Sequence, residues 1–326
     1  MPELQHDLLA ALTGTRWHGW ALTPVAGDAS ARFFWRAESG QGQSVIVLDD
    51  RGSNPPTIAR MAMITQHLRA NDIPAATIFA RLEEDRFAVL EDLGRIDLAQ
   101  ACADDPQIEL GAYALASDLL LRLRQVRISG LTAITQEMAG QMVEITASHY
   151  AAQPDLSDHL AEEVQKCYAS LGLVADTLAL RDFHAQNLMW RPTCASGDML
   201  VPIDLQDAVL APEGYDLASL LTDARRDISQ DLRKQIIRRY ASARGFDLSV
   251  FETHVRFLSI QRNLRILGVF ARLARVAGKR HYVSLIPRVW GYLMADLDDL
   301  AFADLRRVVL DLPPPSPPHL ETLNAA

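Results

Sequence analysis

Within RDFHAQNLMW, residues 181–190, an acid, an imidazole and an amide (Asp182, His184 and Asn187) crowd into a short polar run that turns apolar at Leu188. Another carboxylate, Asp204, stands in PIDLQDA after a second apolar run. Carboxylate and amide oxygens are hard ligands that suit Mg²⁺, which takes one or two protein carboxylates and completes its shell with water and phosphate oxygens.

The runs 187–190 (NLMW) and 199–203 (MLVPI) flank RPTCASGD, whose Pro, Ser, Gly and Asp favour turns. The stretch reads as a hairpin amid helices. A hairpin closes its two ends together, so Asp182, Asn187 and Asp204 are expected to converge. The pattern D-x-x-x-x-N, then D after a hairpin, is the division of labour of kinase-like phosphoryl transfer: one carboxylate serves the incoming hydroxyl, while the amide and the second carboxylate hold metal. The plain alternative is an N-capping Asp and a turn Asn.

Around this hairpin the chain changes character. A short helix is expected at about residues 3–13, then strands over 32–37 and 44–49 joined by the turn Ser39-Gly40-Gln41-Gly42, a helix over 57–70, and strands over 77–82 and 86–91. Alternation along the first strand puts Phe33 and Trp35 on one face and Arg32, Phe34 and Arg36 on the other. The acidic pair and Gly94 in FAVLEDLG end this part, giving domains 1–93 and 94–326. Helical periodicity then dominates over 108–126, 136–151, 158–171 and 260–276, and PPPSPP at 313–318 reads as an extended polyproline segment on the surface.

RDFHAQNLMW followed by PIDLQDAVLAPEGYDLASLL resembles the catalytic segment of the aminoglycoside phosphotransferase and choline kinase group, and FAVLEDLG resembles its interlobe hinge. Within that group, GDASARFFWR, SVIVLDD and QRNLRILGVFARLARVAGKRHYVSLIPRVWGYL look most like the bacterial anomeric kinases of N-acetylmuramate and N-acetylglucosamine, which make sugar 1-phosphates in cell-wall recycling. The resemblance spans nearly the whole chain. It implies an α+β, bilobal, protein-kinase-like fold: a small β-rich N-lobe that covers ATP and a larger, mainly helical C-lobe with the catalytic loop and acceptor site. It further implies Asp182 as catalytic base, Asn187 and Asp204 as Mg²⁺ ligands, and His184 as a loop-supporting residue that could also move a proton. Glu91 and Leu93 of the hinge become nucleotide contacts. Asp216 in GYDLASLL would accept hydrogen bonds from catalytic-loop amides.

Some features depart from the protein-kinase pattern. Leu48 stands where the strand lysine of a V-A-I-K string would be, and the only lysines are Lys166, Lys234 and Lys279. Any side-chain cation over the nucleotide is therefore arginine: Arg32 first, then Arg36 and Arg51, each able to offer phosphate a planar fork. The turn Gly27-Asp28-Ala29-Ser30 is no G-x-G-x-x-G loop, but its amides could still cradle phosphate as a small nest. A P-loop is excluded by the lack of G-x-x-x-x-G-K-[ST]. Leu180 replaces the histidine that often precedes Arg-Asp, and no A-P-E string follows Asp204, which argues against protein substrates.

The acceptor pocket is expected from residues after Asp204 and from the late helices: Gln206, Asp207, Arg225, Arg262 and Asn263 could meet sugar hydroxyl, N-acetyl or lactyl oxygens. The rival reading of each arginine is a helix-surface or interhelical bond. Arg265, Arg272, Arg275 and Lys279 fall near one stripe, most simply a solvated face, and Trp190, Trp290 and Tyr292 are most simply core. Other acceptors, namely an aminoglycoside, choline or an amino alcohol, remain open, as does a nucleotide-binding module without catalysis.

Composition limits the remaining classes. With 326 residues, 49% of them hydrophobic, the chain can bury a substantial core, and a net charge of -9 argues against a nucleic-acid partner. Cys102, Cys167 and Cys194 lack zinc or disulfide spacing, which fits a reducing compartment. MPELQHDLLAALTGTRW has no basic stretch leading into an apolar core, and no apolar run approaches the roughly 18 residues of a membrane helix. The expectation is a cytoplasmic enzyme with a small-molecule substrate and no membrane or obligate protein partner.

Overall fold

The computed structural model describes residues 2–25, 32–193 and 199–325. It comprises two compact units, Met1–Ala101 with Gln186–Asp207, and Cys102–Ala185 with Ala208–Ala326. The boundary expected after residue 93 falls inside the first unit, and the catalytic segment is divided between the units after Ala185.

The first unit opens with α1 (Pro2–Ala11), β1 (Ala21–Val25), β2 (Phe33–Glu38), β3 (Ser44–Asp49), α2 (Ile58–Ala70), β4 (Ile78–Leu82) and β5 (Phe87–Glu91). Its strands form one antiparallel sheet in the order β1-β2-β3-β5-β4. The strand β1 was not anticipated, because Pro24 reads as a breaker; at the sheet edge its missing N–H is tolerated.

Alternation sorts the side chains to two faces. Trp35, Ala37, Val45, Val47, Phe87 and Val89 pack with Leu8 of α1 and with Leu12 just after it, whereas Leu48, Ala88 and Leu90 pack with Ile58 and Met61 of α2, joined by Phe34 and Ile46. In β4, Ile78 joins the α2 face but Ala80 and Leu82 join the α1 face, because a register shift between Ile78 and Ala80 exchanges the faces. Asp50, at the end of β3, accepts from the Thr57 and Ile58 amides and so caps α2 with a carboxylate.

The chain passes into the second unit along α3 (Leu98–Asp104), continues through α4 (Glu109–Leu123), α5 (Gln136–Gln141) and α6 (Leu156–Ser170), and reaches β6 (Thr177–Ala179). The helix expected over 136–151 is interrupted: α5 stops at Gln141, and Thr146–Ala151 is a π-helical turn ended by Ala152 at φ 53°. The Thr146 hydroxyl donates to the Leu264 carbonyl, a tertiary bond that overrides local periodicity.

Next, β7 (Leu188–Trp190) and β8 (Leu200–Pro202) form the expected hairpin, which belongs to the first unit. Residues 194–198 of its loop lie outside the described residues. The second unit resumes with β9 (Val209–Ala211), paired with β6, and continues with α7 (Tyr215–Leu221), α8 (Gln230–Arg244), α9 (Leu248–Arg275), α10 (Ile286–Leu297), α11 (Ala303–Val309) and α12 (Pro317–Asn324).

The helix expected over 260–276 is thus the latter half of α9, whose start is set by Asp247 accepting from the Val250 amide at 3.0 Å. Gly268 lets α9 approach the π-helical turn: a Cβ there would stand 2.5 Å from the Ile145 carbonyl atoms. The polyproline reading of 313–318 needs correction. Tyr150 donates to the Pro313 carbonyl at 2.7 Å, and Pro317 begins α12, where a proline at a helix start loses no hydrogen bond. No helix among the described residues is long and apolar enough to cross a membrane.

Candidate active site

In the second unit, the loop between β6 and Ala185 alternates outward and inward. Asp182 is exposed and His184 half-buried, while Phe183 and Ala185 are buried and anchor the loop to the core. Arg181 adopts φ 71°, a left-handed conformation that a non-glycine residue holds only when its surroundings enforce it. The enforcement is visible. Asp216, in the first turn of α7, accepts from the Leu180 amide at 2.6 Å and the Arg181 amide at 3.0 Å, as the resemblance implied. The Arg181 carbonyl in turn accepts from Arg262 Nη1 at 2.8 Å and the Ser219 hydroxyl at 3.3 Å, and Arg262 Nη2 donates to the Ser219 Oγ at 2.6 Å. Beyond the loop, Asp223 accepts from the Ala185 amide at 3.4 Å.

Electrostatics follow from this packing. Desolvation works against ionisation of Asp182, but Arg262, His184, Arg181 and Arg265 outweigh it and hold the carboxyl below the usual carboxylate range. His184 is pushed down by desolvation and by Arg225, against the opposing pull of Asp223, so the imidazole is neutral near pH 7. Its buried Nδ1 finds no hydrogen-bond partner among the described residues. Asp216, buried beneath the loop, is pushed up to about 6 by desolvation despite the two amides and Arg262.

In the first unit, the hairpin register sets Leu188 opposite Pro202, and the Ile203 amide donates to the Asn187 carbonyl at 3.0 Å. Asn187 and Asp204 therefore flank the same end of the hairpin. That pair of hard oxygen donors fits Mg²⁺, with room in the coordination shell left to water and phosphate. Asp204 has φ 59°, and its Oδ1 accepts from Arg32 Nη2 at 3.2 Å. Arg32 Nη1 donates to Gln206 Oε1 at 2.8 Å, and Gln206 Nε2 donates to Asp207 Oδ2 at 2.8 Å. Arg60 of α2 fixes the same segment by donating to the Gln206 carbonyl at 2.7 Å.

The three arginines considered for phosphate are thereby separated. Arg32 lies on the segment that carries Asp204. Arg36 is locked to the segment after β5, donating to Asp92 at 2.6 and 3.0 Å and to the Gly94 carbonyl at 2.8 Å, and Arg51 is tied to Asp49 and Asp7. Leu48 is fully buried in the α2-side cluster. Glu91 uses its carboxylate on Thr77 and Arg191 and donates its amide to the Thr77 carbonyl, and Leu93 is buried beside the Arg36–Asp92 pair. The turn Gly27, Asp28, Ala29 and Ser30 lies outside the described residues.

The acceptor candidates divide as well. Gln206 and Asp207 are in the first unit, while Arg225, Arg262 and Asn263 are in the second. Arg262 is buried and braces the loop, and its guanidinium also covers the Tyr215 ring at 4.9 Å. Asn263 is fully buried and donates to Ser259 Oγ at 3.1 Å, one turn back on α9, so its amide is used within the helical core. Arg225 is half-buried, and its amide donates to Asp223. Sequence reading missed Ser219, Asp223 and Arg60, which carry no motif of their own, and set Arg265 among solvated arginines although it is half-buried.

Comparison with known proteins places this geometry. A family model described as the phosphotransferase enzyme family matches residues 21–251. The N-acetylmuramate/N-acetylglucosamine kinase of Caulobacter vibrioides is 41% identical over 127 residues, which is 39% of this chain and 35% of that protein, so the match spans about a third of the relative. The protein of the same name from Pseudomonas putida is 27% identical over 292 residues, covering 84% of this chain and 82% of that one. A crystal structure of a choline/ethanolamine kinase family protein from Mesorhizobium loti superposes with a TM-score of 0.68 at 12% identity, over 99% of this chain and 100% of that one. That likeness shows the shared fold, with its small antiparallel-sheet lobe and mainly helical lobe.

Proposed function

The chain belongs to the phosphotransferase enzyme family, and from that premise we propose that it moves the γ-phosphoryl group of ATP to the anomeric hydroxyl of N-acetylmuramate or N-acetylglucosamine, in the cytoplasm, with Mg²⁺. The observation that carries the reading is the loop around Asp182: its backbone is braced by Asp216, Ser219 and Arg262, and its carboxylate is kept ionised by surrounding cations. The sugar is supported by the names of relatives aligned over 84%, 83% and 83% of the chain.

In this reading Asp182 accepts the proton of the acceptor hydroxyl as that oxygen attacks the γ-phosphorus, and ADP leaves. Mg²⁺, when bound, offsets charge on the phosphate oxygens, and Asn187 and Asp204 would hold it. Arg32 offers phosphate the charge that a strand lysine supplies in protein kinases. His184, neutral, maintains the loop and leaves proton acceptance to Asp182.

ADP release from ATP and Mg²⁺ over a panel of sugars, an aminoglycoside, choline and amino alcohols tests the proposal. Turnover of N-acetylmuramate or N-acetylglucosamine, lost in Asp182→Asn, is the expected result. Turnover of another hydroxyl compound alone removes the sugar and keeps the kinase. Nucleotide binding with no turnover across the panel, unchanged by Asp182→Asn, would make the protein a non-catalytic nucleotide-binding module.

A further inference from the structure

Arg262 and Arg265 lie three residues apart on α9 and so share a helix face, yet their surroundings differ. Arg262 donates to the Arg181 carbonyl and to Ser219. Arg265 has no hydrogen bond or ion pair among the described residues. It is not the solvated residue that its place in the Arg265, Arg272, Arg275, Lys279 stripe suggests, since it is half-buried where Arg272 and Arg275 are exposed.

The charges acting on Arg265 deepen the contrast. Desolvation holds its guanidinium below the ordinary arginine range; Tyr215 and Asp182 favour the charged form, and Arg181 and Arg262 oppose it. Asp182 in turn feels Arg262, Arg181 and Arg265. The Arg265 fork is half-buried and unfilled by any side chain or carbonyl among the described residues, and a carboxylate or phosphate is the group whose planar geometry matches it. The same cations repel an amine, which tells against aminoglycosides and choline at this loop.

We propose that Arg265 is a specificity-determining residue that takes an anionic group of the acceptor, so that the enzyme prefers a hydroxyl compound bearing a carboxylate to its neutral counterpart. For the two sugars of the proposed function, on which this inference rests, that means N-acetylmuramate with its lactyl carboxylate over N-acetylglucosamine. The terminal phosphate of the nucleotide shares the required chemistry. The acceptor is favoured because Arg32, Glu91 and Leu93, assigned to the nucleotide, all belong to the first unit, whereas Arg265 belongs to the second with Asp182.

The test compares wild type, Arg265→Met and Arg265→Lys, measuring KM and kcat for N-acetylmuramate, N-acetylglucosamine and ATP, and the thermal shift produced by each sugar. Arg265→Met is expected to raise KM for N-acetylmuramate about tenfold or more beyond any change for N-acetylglucosamine. It should also erase the extra thermal shift given by the charged sugar, with Arg265→Lys recovering part of both effects. Equal changes for the two sugars overturn the proposal, and a rise confined to ATP moves the anion to the nucleotide and overturns it too. If Arg265→Met does not fold, Arg265→Gln supplies the same ratio. Should the wild type turn over neither sugar but another hydroxyl class, the proposed sugar fails by itself. The ratio between anionic and neutral members of that class then decides the role of Arg265.

Discussion

The loop at residues 180–185 and the segment at 204–207 both carry residues assigned to the reaction, but they are held in different ways. The loop is gripped by its backbone: Asp216 takes the Leu180 and Arg181 amides, and Arg262 and Ser219 take the Arg181 carbonyl. The 204–207 segment is joined mainly through functional side chains, with Arg32 on Asp204 and Gln206, and Gln206 on Asp207. Each region includes one non-glycine residue in the left-handed conformation, Arg181 and Asp204. In the proposed reading the base has to stand still before the acceptor arrives, and these bonds fix the backbone that carries it. In the same reading, the groups that would meet metal and phosphate bind one another until those ligands replace the internal bonds.

The largest effect that would test this contrast is expected at Asp182. Asp182→Asn keeps the shape and removes the base, so kcat should fall by about 10²–10⁴-fold in steady-state assays. The carboxyl is held low, so the acid limb of kcat/KM that belongs to it should lie below about pH 4. The stability it contributes is present above the unfolded-state value of about 3.9 and is lost as pH falls through the lower folded value. An acid limb well above that range would assign the proton acceptor to another group.

Next in size is the brace itself. Asp216→Ala leaves the Leu180 and Arg181 amides without their acceptor, which should lower stability by about 2–4 kcal/mol in chemical denaturation and reduce kcat with it. The pH dependence has a defined sign. With a folded value raised to about 6, the native state binds the proton more tightly than the unfolded chain, so this contribution is fullest below about pH 4 and is lost as pH rises through 6. The stability of the wild type relative to Asp216→Asn should therefore decline between pH 4 and 7, by on the order of 3 kcal/mol.

The same contrast explains what the sequence disclosed. The hairpin, the sheet strands β2 to β5 and α2 announce themselves through alternation and turn residues, and Asp182, Asn187 and Asp204 stand out by type and spacing. The brace was legible at Asp216, through the resemblance alone. Ser219 and Asp223 were not legible, because a hydroxyl or carboxylate that serves a distant backbone group leaves no local periodicity. Arg262 and Arg265 were both visible as arginines, but only tertiary packing distinguishes the buried brace from the half-buried residue beside it. The full length of α9 was obscured by Glu252, Thr253 and His254 in its first half, which dilute the apolar period, and the break after α5 is imposed by contact with α9.

A smaller effect is expected where α9 is seated. Gly268→Ala would set a Cβ 2.5 Å from the Ile145 carbonyl carbon and oxygen, backbone atoms that cannot rotate away. The helix or the π-helical turn must move, at about 1–3 kcal/mol of lost stability, read as a lower Tm. Because α9 carries Arg262, the shift should also loosen the Arg181 carbonyl and lower kcat. A stability loss with unchanged kcat would separate the seat of the helix from the support of the base.

The smallest expected effect lies in the side-chain-held region. Arg32→Lys replaces a fork that spans Asp204 Oδ1 and Gln206 Oε1 with a single ammonium that cannot keep both geometries. Arg60 still holds the Gln206 carbonyl, so the fold should remain intact and Tm should move little. The consequence should appear in KM for ATP, raised about three- to tenfold, with KM for the acceptor near its wild-type value. If Arg32→Lys instead lowered Tm and left KM for ATP unchanged, Arg32 would be a structural brace like Arg262, and the proposed distinction between the two regions would fail.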